Sequence, residues 1–198
     1  MDQFTERFLI STKCPLAKAT MLEVCEFNNG LGIFDLSEAE SIILDGNTGV
    51  IEWYRDMAGT QKINSPFTSG NATVYARIVD GTCKSNIVAI QLKVNLRPIA
   101  RNAFLEMCDE GGGFATFDLD KLIRAINGGN SALEVKFYED FALSSEIASP
   151  YQSRNKLIFA TTFDGKCESK PAEIRLIVLD RPEGFSITEK ICDNGNGT

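Results

Sequence analysis

The sequence predicts an all-β chain: tandem immunoglobulin-like antiparallel β-sandwich repeats of about 84 residues, with one short helix per repeat. Three observations lead there. A block of residues recurs in fixed order at one period. Within each copy the apolar residues alternate with period two. Glycine-rich and Asp-Gly turns fall between the alternating runs at hairpin spacing.

The period is set by Glu23-Val24-Cys25-Glu26, which recurs as Glu106-Met107-Cys108-Asp109 and again as Lys190-Ile191-Cys192-Asp193, at intervals of 83 and 84 residues. Phe34-Asp35-Leu36 maps onto Phe117-Asp118-Leu119, Trp53-Tyr54-Arg55-Asp56 onto Phe137-Tyr138-Glu139-Asp140, and Ile63-Asn64-Ser65-Pro66 onto Ile147-Ala148-Ser149-Pro150. Fixed-period self-similarity marks a tandem array. The expected division is a last strand of a preceding repeat (1–14), repeat 1 (15–97), repeat 2 (98–181) and the truncated start of repeat 3 (182–198). A chain that begins and ends inside a unit is expected to be a window on a longer repetitive protein.

Each element follows from its residues. Pro15, Pro98 or Pro182 stands ten residues before each first cysteine and opens a unit. An apolar strand reaches that cysteine, and a turn follows, Asn28-Asn29-Gly30 or Gly111-Gly112-Gly113. After Phe-Asp-Leu comes the helical candidate, Ser37 to Leu44 or Asp120 to Ile126, with Ser37 or Asp120 as the expected cap and Gly46 or Gly128 near its end. The aromatic pair, the alternating run Val74, Ala76, Ile78 and the run Ile90, Leu92, Val94 read as half-buried strands. Six or seven such strands suit a small sandwich, and a closed barrel is the alternative. The links Leu96-Arg97-Pro98 and Asp180-Arg181-Pro182 are short and stiffened by proline, so the array is expected to behave as a rod.

Composition removes several functions. Lys+Arg of 20 against Asp+Glu of 27 leaves a net charge of −7, the wrong sign for nucleic acid or an anionic bilayer. No histidine is present, which excludes imidazole metal sites and every His-based nucleophile pair. No run is long and apolar enough to suggest membrane insertion. An enzyme is therefore not expected.

Two cysteines fall in each full unit, which implies one pair per unit, Cys25 with Cys83 and Cys108 with Cys167. Loops of this size give about 4 kcal/mol per bridge in the chain-entropy model. Buried free thiols are the competing reading. Bridges require an oxidising compartment, so they place the chain outside the cytosol. Cys14 and Cys192 are left unpaired or inter-chain, because Arg97 and Arg181 stand where Cys14 would recur.

Residues 108–119, Cys-Asp-Glu-Gly-Gly-Gly-Phe-Ala-Thr-Phe-Asp-Leu, together with the run from Cys25 to Leu36 and Val74-Tyr75-Ala76-Arg77, resemble the tandem β-sandwich modules of large Bacteroidetes cell-surface proteins, including gliding-type adhesins and other type IX secretion cargo. The likeness spans nearly the whole chain. It implies export by the type IX route and display or release outside the cell, in stalks, fibres or spacers.

Candidate sites remain to be weighed. The acidic turns offer calcium ligands, Asp109, Glu110 and Asp118, then Asp193, Asn194 and Asn196, with Glu26, Asn28, Asn29 and Asp35 in the first unit. None has full EF-hand spacing, and Asx-turns explain them more simply. Calcium is the one cofactor considered. Trp53 with Tyr54, and Phe137 with Tyr138, are candidates for a glycan platform, although period-two geometry turns one member of each pair inward. Glu52, Asp56, Glu139 and Asp140 read as surface charge, and Asn71-Ala72-Thr73 as a turn. The leading expectation is a non-catalytic extracellular structural or adhesive repeat whose partners are neighbouring repeats of the same chain, with a homo-oligomer or fibre as a further assembly. The alternative is a carbohydrate- or surface-binding module of a secreted protein.

Overall fold

The structure is a computed structural model that describes residues 14–182 and 184. It divides into two compact units. The first holds the described residues up to Pro98 together with Gly165–Cys167, the second Ile99–Asp164 and the described residues from Glu168.

The first unit contains β1 (Thr20–Cys25), β2 (Gly32–Phe34), α1 (Glu40–Leu44), β3 (Val50–Tyr54), β4 (Phe67–Ser69), β5 (Ala72–Asp80), β6 (Cys83–Lys84) and β7 (Val88–Asn95). One sheet has the order β1-β7-β5-β3, with β6 hairpinned onto β5, and the other is the pair β2-β4. β3, β5 and β7 lie together as strands C, F and G do in an immunoglobulin-like sandwich and β2 and β4 pair as B and E do, while β1 joins the edge at β7. Alternation decides the faces: Val74, Ala76 and Ile78 of β5 and Ile90, Leu92 and Val94 of β7 are buried against Phe34, Leu36, Ile43 and Trp53.

The second unit repeats the series as β8 (Ala103–Cys108), β9 (Ala115–Phe117), α2 (Ile123–Ile126), β10 (Glu134–Tyr138), β11 (Glu146–Ile147), β12 (Tyr151–Ser153), β13 (Lys156–Phe163) and β14 (Ala172–Leu179). Its main sheet runs β11-β10-β13-β14-β8, and β12 pairs with β9. Phe117, Leu119, Ile126, Phe137, Ile158, Ala160, Ile174 and Leu176 form its core, each one period beyond a core residue of the first unit.

Three expectations need correction. The sandwich is not wholly antiparallel, because β1 lies parallel to β7, with Leu22 opposite Leu92, and β8 parallel to β14, with Leu105 opposite Leu176. Parallel partners need a long crossover, and here the rest of the unit is that crossover. The helix begins with a 3-10 turn, Leu36–Ala39 or Leu119–Leu122, whose cap residue is Asp35 or Asp118 in place of Ser37 or Asp120. Asp35 Oδ1 accepts from the Ser37 amide at 3.0 Å and from the Ser65 hydroxyl at 2.9 Å. That second bond explains the Ser-Pro motif, since Ser65 Oγ also accepts from the Leu36 amide and ties the turn to the strand that carries the cap. Finally, Trp53 and Tyr54 are both buried, as are Phe137 and Tyr138. Trp53 enters the sandwich core, whereas Tyr54 lies on the opposite face beneath Arg77, whose guanidinium sits 5.0 Å from the ring centre.

Candidate functional site

The cysteines depart most from expectation. Cys14 bonds to Cys83 and Cys25 to Cys167, with Cα separations of 5.4 and 5.6 Å, while Cys108 is a free, exposed thiol. Neither expected pair, Cys25 with Cys83 or Cys108 with Cys167, is formed. The reason lies in strand direction. Cys25 ends β1 opposite Asn95, the last residue of β7, while Cys83 precedes Val88, the first residue of β7. Seven residue steps along a strand put the two cysteines roughly 23 Å apart, far beyond the reach of a disulfide. Cys108 opposite Leu179 and Cys167 before Ala172 are separated in the same way.

Cys14, by contrast, enters at the near end. The segment after it runs beside residues 83–88: the Ala17 amide donates to Asn86 Oδ1 at 3.0 Å, and Asn86 Nδ2 donates to the Ala17 carbonyl. Cys14–Cys83 is therefore the staple internal to the first unit. The signal that separates the two cases was the parallel pairing of first and last strands, which period-two patterning alone does not reveal.

Around Cys25 a compact constellation forms, all of it within the first compact unit. Glu23, two residues earlier and on the same face of β1, receives Lys166 Nζ on Oε2 at 2.9 Å, Lys93 Nζ on Oε1 at 3.2 Å and Asn95 Nδ2 on Oε2 at 3.0 Å. Lys166, followed by Asn95 and Lys93, holds the Glu23 carboxyl down at about 2. The bridged sulfurs lie in van der Waals contact with backbone carbonyls, Cys25 Sγ 3.5 Å from Lys166 O and Cys167 Sγ 3.8 Å from Asn95 O. Behind them, Arg97 Nε donates to the Glu26 carbonyl at 2.6 Å, and Arg181 Nε donates to the Asp109 carbonyl. The arginine before each proline thus pins the turn after each first cysteine.

The acidic turns do not converge on a cation. Asp109 Oδ1 accepts from the Gly111 and Gly113 amides at 2.8 and 3.0 Å, Glu110 accepts from the Thr116 hydroxyl, and Glu26 accepts from the Gly30 amide. Asp118 lies 3.4 Å from the Ser149 hydroxyl and 3.5 Å from Lys121 Nζ. Among the described residues no group of three or more acidic, cysteine or histidine side chains is placed to hold a metal. Asp193, Asn194, Asn196 and Cys192 lie outside the described residues.

The remaining carboxylates close loops and faces. Asp56 accepts from the Thr60 and Gln61 amides, and Asp140 from the Ser144 and Ser145 amides, so each seals the same loop in its unit. Glu52 bonds Lys62 at 2.6 Å, Arg77 at 2.9 Å and the Tyr54 hydroxyl at 2.5 Å. Lys62, then Tyr54 and Arg77, bring its carboxyl down to about 2. Glu139 is held low by Tyr151 and Lys156. Carboxylates kept ionised in this way make poor proton donors near neutral pH. Asn71 is structural as well, its Oδ1 accepting from the Val94 amide at 2.7 Å, as Asn155 Oδ1 does from Val178 at 2.6 Å.

An immunoglobulin-like module with one staple inside a unit and one disulfide between cysteines of successive sequence repeats is the class these features define. Residues 21–98 match the family profile of the Flavobacterium inter-domain disulphide bond domain, which points to Bacteroidetes proteins. A comparison with curated protein sequences finds no match. Among solved structures, the chain is similar to the N-terminal Ig1-2 module of the Drosophila receptor protein tyrosine phosphatase DLAR, at 9% identity over 85% of this chain and 97% of that one, TM-score 0.22. It is also similar to human mucin-like protocadherin EC1-2, at 8% identity over 83% and 98%, TM-score 0.24. SporoSAG from Toxoplasma gondii stands at 7% identity over 84% and 99%, TM-score 0.24. No function passes across likenesses this distant.

Proposed function

We propose that this chain is a non-catalytic, extracellular structural or adhesive repeat module, part of a long Bacteroidetes stalk, filament or surface adhesin exported by the type IX route, in which disulfides stitch one repeat to another. The observation that carries the reading is Cys25–Cys167, a bond between cysteines 142 residues apart that belong to successive copies of one sequence unit. Two disulfides in a chain of this size fit an oxidising compartment. The aromatic pairs considered for glycan stacking are spent on burial, which favours the structural role over the carbohydrate-binding alternative. Repeats of 15–97 and 98–181 are the natural unit of such an array.

The test is non-reducing peptide mapping of the protein recovered from the surface or medium fraction of the producing cells. Links 14–83 and 25–167 are expected there. Recovery solely from the cytosol with free thiols, or saturable binding on a glycan array by the oxidised chain, would overturn the reading.

A further inference from the structure

The second unit carries a surface cavity of about 420 Å³ at the helical turn that follows Asp118, a size within the range of small-ligand sites. Asp120, Ile123, Arg124 and Asn127 line it from the helical segment, at the spacing that puts residues on one face of a helix, and Ser131 and Leu133 from the loop before β10.

Asn127 is the residue that folding does not explain. It is only 7% exposed, and its Oδ1 accepts from the Gly129 amide at 2.9 Å, but its Nδ2 donates to no group among the described residues. A donor left unpaired in a side chain so nearly buried is costly unless a ligand takes it. The charges beside it are unspent as well. Among the described residues neither the Asp120 carboxylate nor the Arg124 guanidinium forms an ion pair or a hydrogen bond. The neighbouring charges have other partners or other places: Lys121 lies 3.5 Å from Asp118, Glu134 lies 4.0 Å from Lys136, and Arg101 lies over Gly128, where it adds positive field at the Asn127 end. One period back, the first unit holds Ser37, Ser41 and Leu44 at the places of Asp120, Arg124 and Asn127, and Leu44 packs on the core. The frame therefore forms without these three polar groups, and the second unit carries them for another reason.

We infer that this cavity is a binding site for a short zwitterionic peptide with an apolar side chain, a dipeptide in the simplest case. The terminal carboxylate takes Arg124 and the Asn127 amide, the terminal ammonium takes Asp120, and the side chain rests on Ile123 and Leu133. Spacing selects the length. Arg124 and Asn127 stand a helical rise of roughly 6–10 Å from Asp120, and two extended residues span roughly 7 Å between their ends. A single amino acid holds its two charges too close together to serve both. This site goes beyond the structural reading and does not rest on it.

The test is a titration of the full, oxidised, isotope-labelled chain with alanyl-leucine, followed through the amide chemical shifts. Saturable shifts are expected at Gly129, whose amide Asn127 holds, and at Ser131. Alanyl-leucine amide and N-acetyl-alanyl-leucine each lack one terminal charge and should bind about threefold more weakly at low salt, the worth of a surface ion pair. Free leucine should also bind more weakly, and equal binding would refute the dipeptide. Arg124→Gln should erase the preference for the free carboxylate, and Asp120→Asn that for the free ammonium. Asn127→Leu, which installs the first unit's residue, should abolish binding with the fold intact. No saturable shift in the millimolar range, shifts confined to residues away from 120–133, or a carboxylate preference that survives Arg124→Gln would overturn the site. None of these results touches the 14–83 and 25–167 links, so failure here is distinguishable from failure of the structural reading.

Discussion

The two units share a frame and differ in what is hung on it. Every strand and helix of the first unit except β6 recurs at an offset of 83 or 84 residues, yet the outer face of the main sheet is charge-inverted. Where the first unit has Glu52 among Lys62, Arg77 and Tyr54, the second has Lys136 with Glu146, Thr161 and Tyr138 at the same positions. The tyrosine is buried in both. Its hydroxyl is pushed up in each case chiefly by burial, then by Glu52 in one unit and Glu168 in the other. The lesson is that the apolar alternation, the capping aspartate and the Ser-Pro turn specify this fold, while either sign of charge serves on the outer face. Packing pairs change together in the same spirit. A Cβ on Gly32 would lie 2.4 Å from Val24 Cγ2, and in the second unit the two positions hold Ala115 and Met107, an extra methyl met by an unbranched, yielding side chain.

The contrast between the two units is open to experiment, and the disulfides and the core residues should give effects of similar, large size. Replacing Cys14 and Cys83 together by serine is expected to cost the first unit about 4 kcal/mol in the chain-entropy model. The readout is the denaturation midpoint followed by fluorescence of Trp53, the one tryptophan, buried in that unit's core. Next come the equivalent core residues. Phe34→Ala and Phe117→Ala should each remove about 3–5 kcal/mol. Only the first should move the Trp53 transition, and equal shifts would show that the two cores do not melt separately.

Gly32→Ala should destabilise by about 1–3 kcal/mol, with most of the loss recovered when Val24→Met is added. A double-mutant cycle by urea denaturation measures the coupling, and simple additivity would dispose of the compensation argument. A smaller gain is expected at Thr162, which takes the place of the core residue Ile78. Its Oγ1 is buried with no hydrogen-bond partner, so Thr162→Val should stabilise the second unit by about 1 kcal/mol, checked by calorimetry.

The smallest effect is on acid stability. Glu23 and Glu52 are both held at about 2, below the ordinary glutamate value near 4.5. A carboxyl more acidic in the folded chain stabilises it fully above the unfolded value, and that contribution fades as pH falls from about 4.5 towards 2. Glu52→Gln should flatten this part of the pH–stability curve for the first unit. Lys136 occupies the equivalent position, so the second unit has no such contribution to lose there.

Much of the fold was legible because its signals are local. Phe34-Asp35-Leu36 and its copy marked a buried strand leading into a helical turn, and the runs ending at Ile78 and Val94 marked their own buried faces. What the sequence withheld depends on strand order. Counting two cysteines per unit paired Cys25 with Cys83, but direction along β7 decides which end of the sheet each one reaches, and no local pattern states that β1 runs parallel to β7. The second aromatic of each pair was misread for a related reason. Tyr54 points away from the sandwich core yet is covered by Arg77 and the loop at Gly59, a cover supplied by other elements. The cap moved from Ser37 to Asp35 because Ser65, thirty positions later, makes the aspartate the hub of that turn.

The bond between Cys25 and Cys167 also fixes the route that tension would take through this chain. A pull entering ahead of β1 leaves the backbone at Cys25, crosses the sulfur bridge and resumes at Cys167 on its way into β14. The residues between them stay slack while that bridge holds, and because Cys14–Cys83 would then carry the load, reduction of Cys25–Cys167 alone releases only the stretch beyond Cys83, roughly 290 Å of contour if drawn straight. In the proposed tether, extension would thus be released in two stages, one cystine at a time.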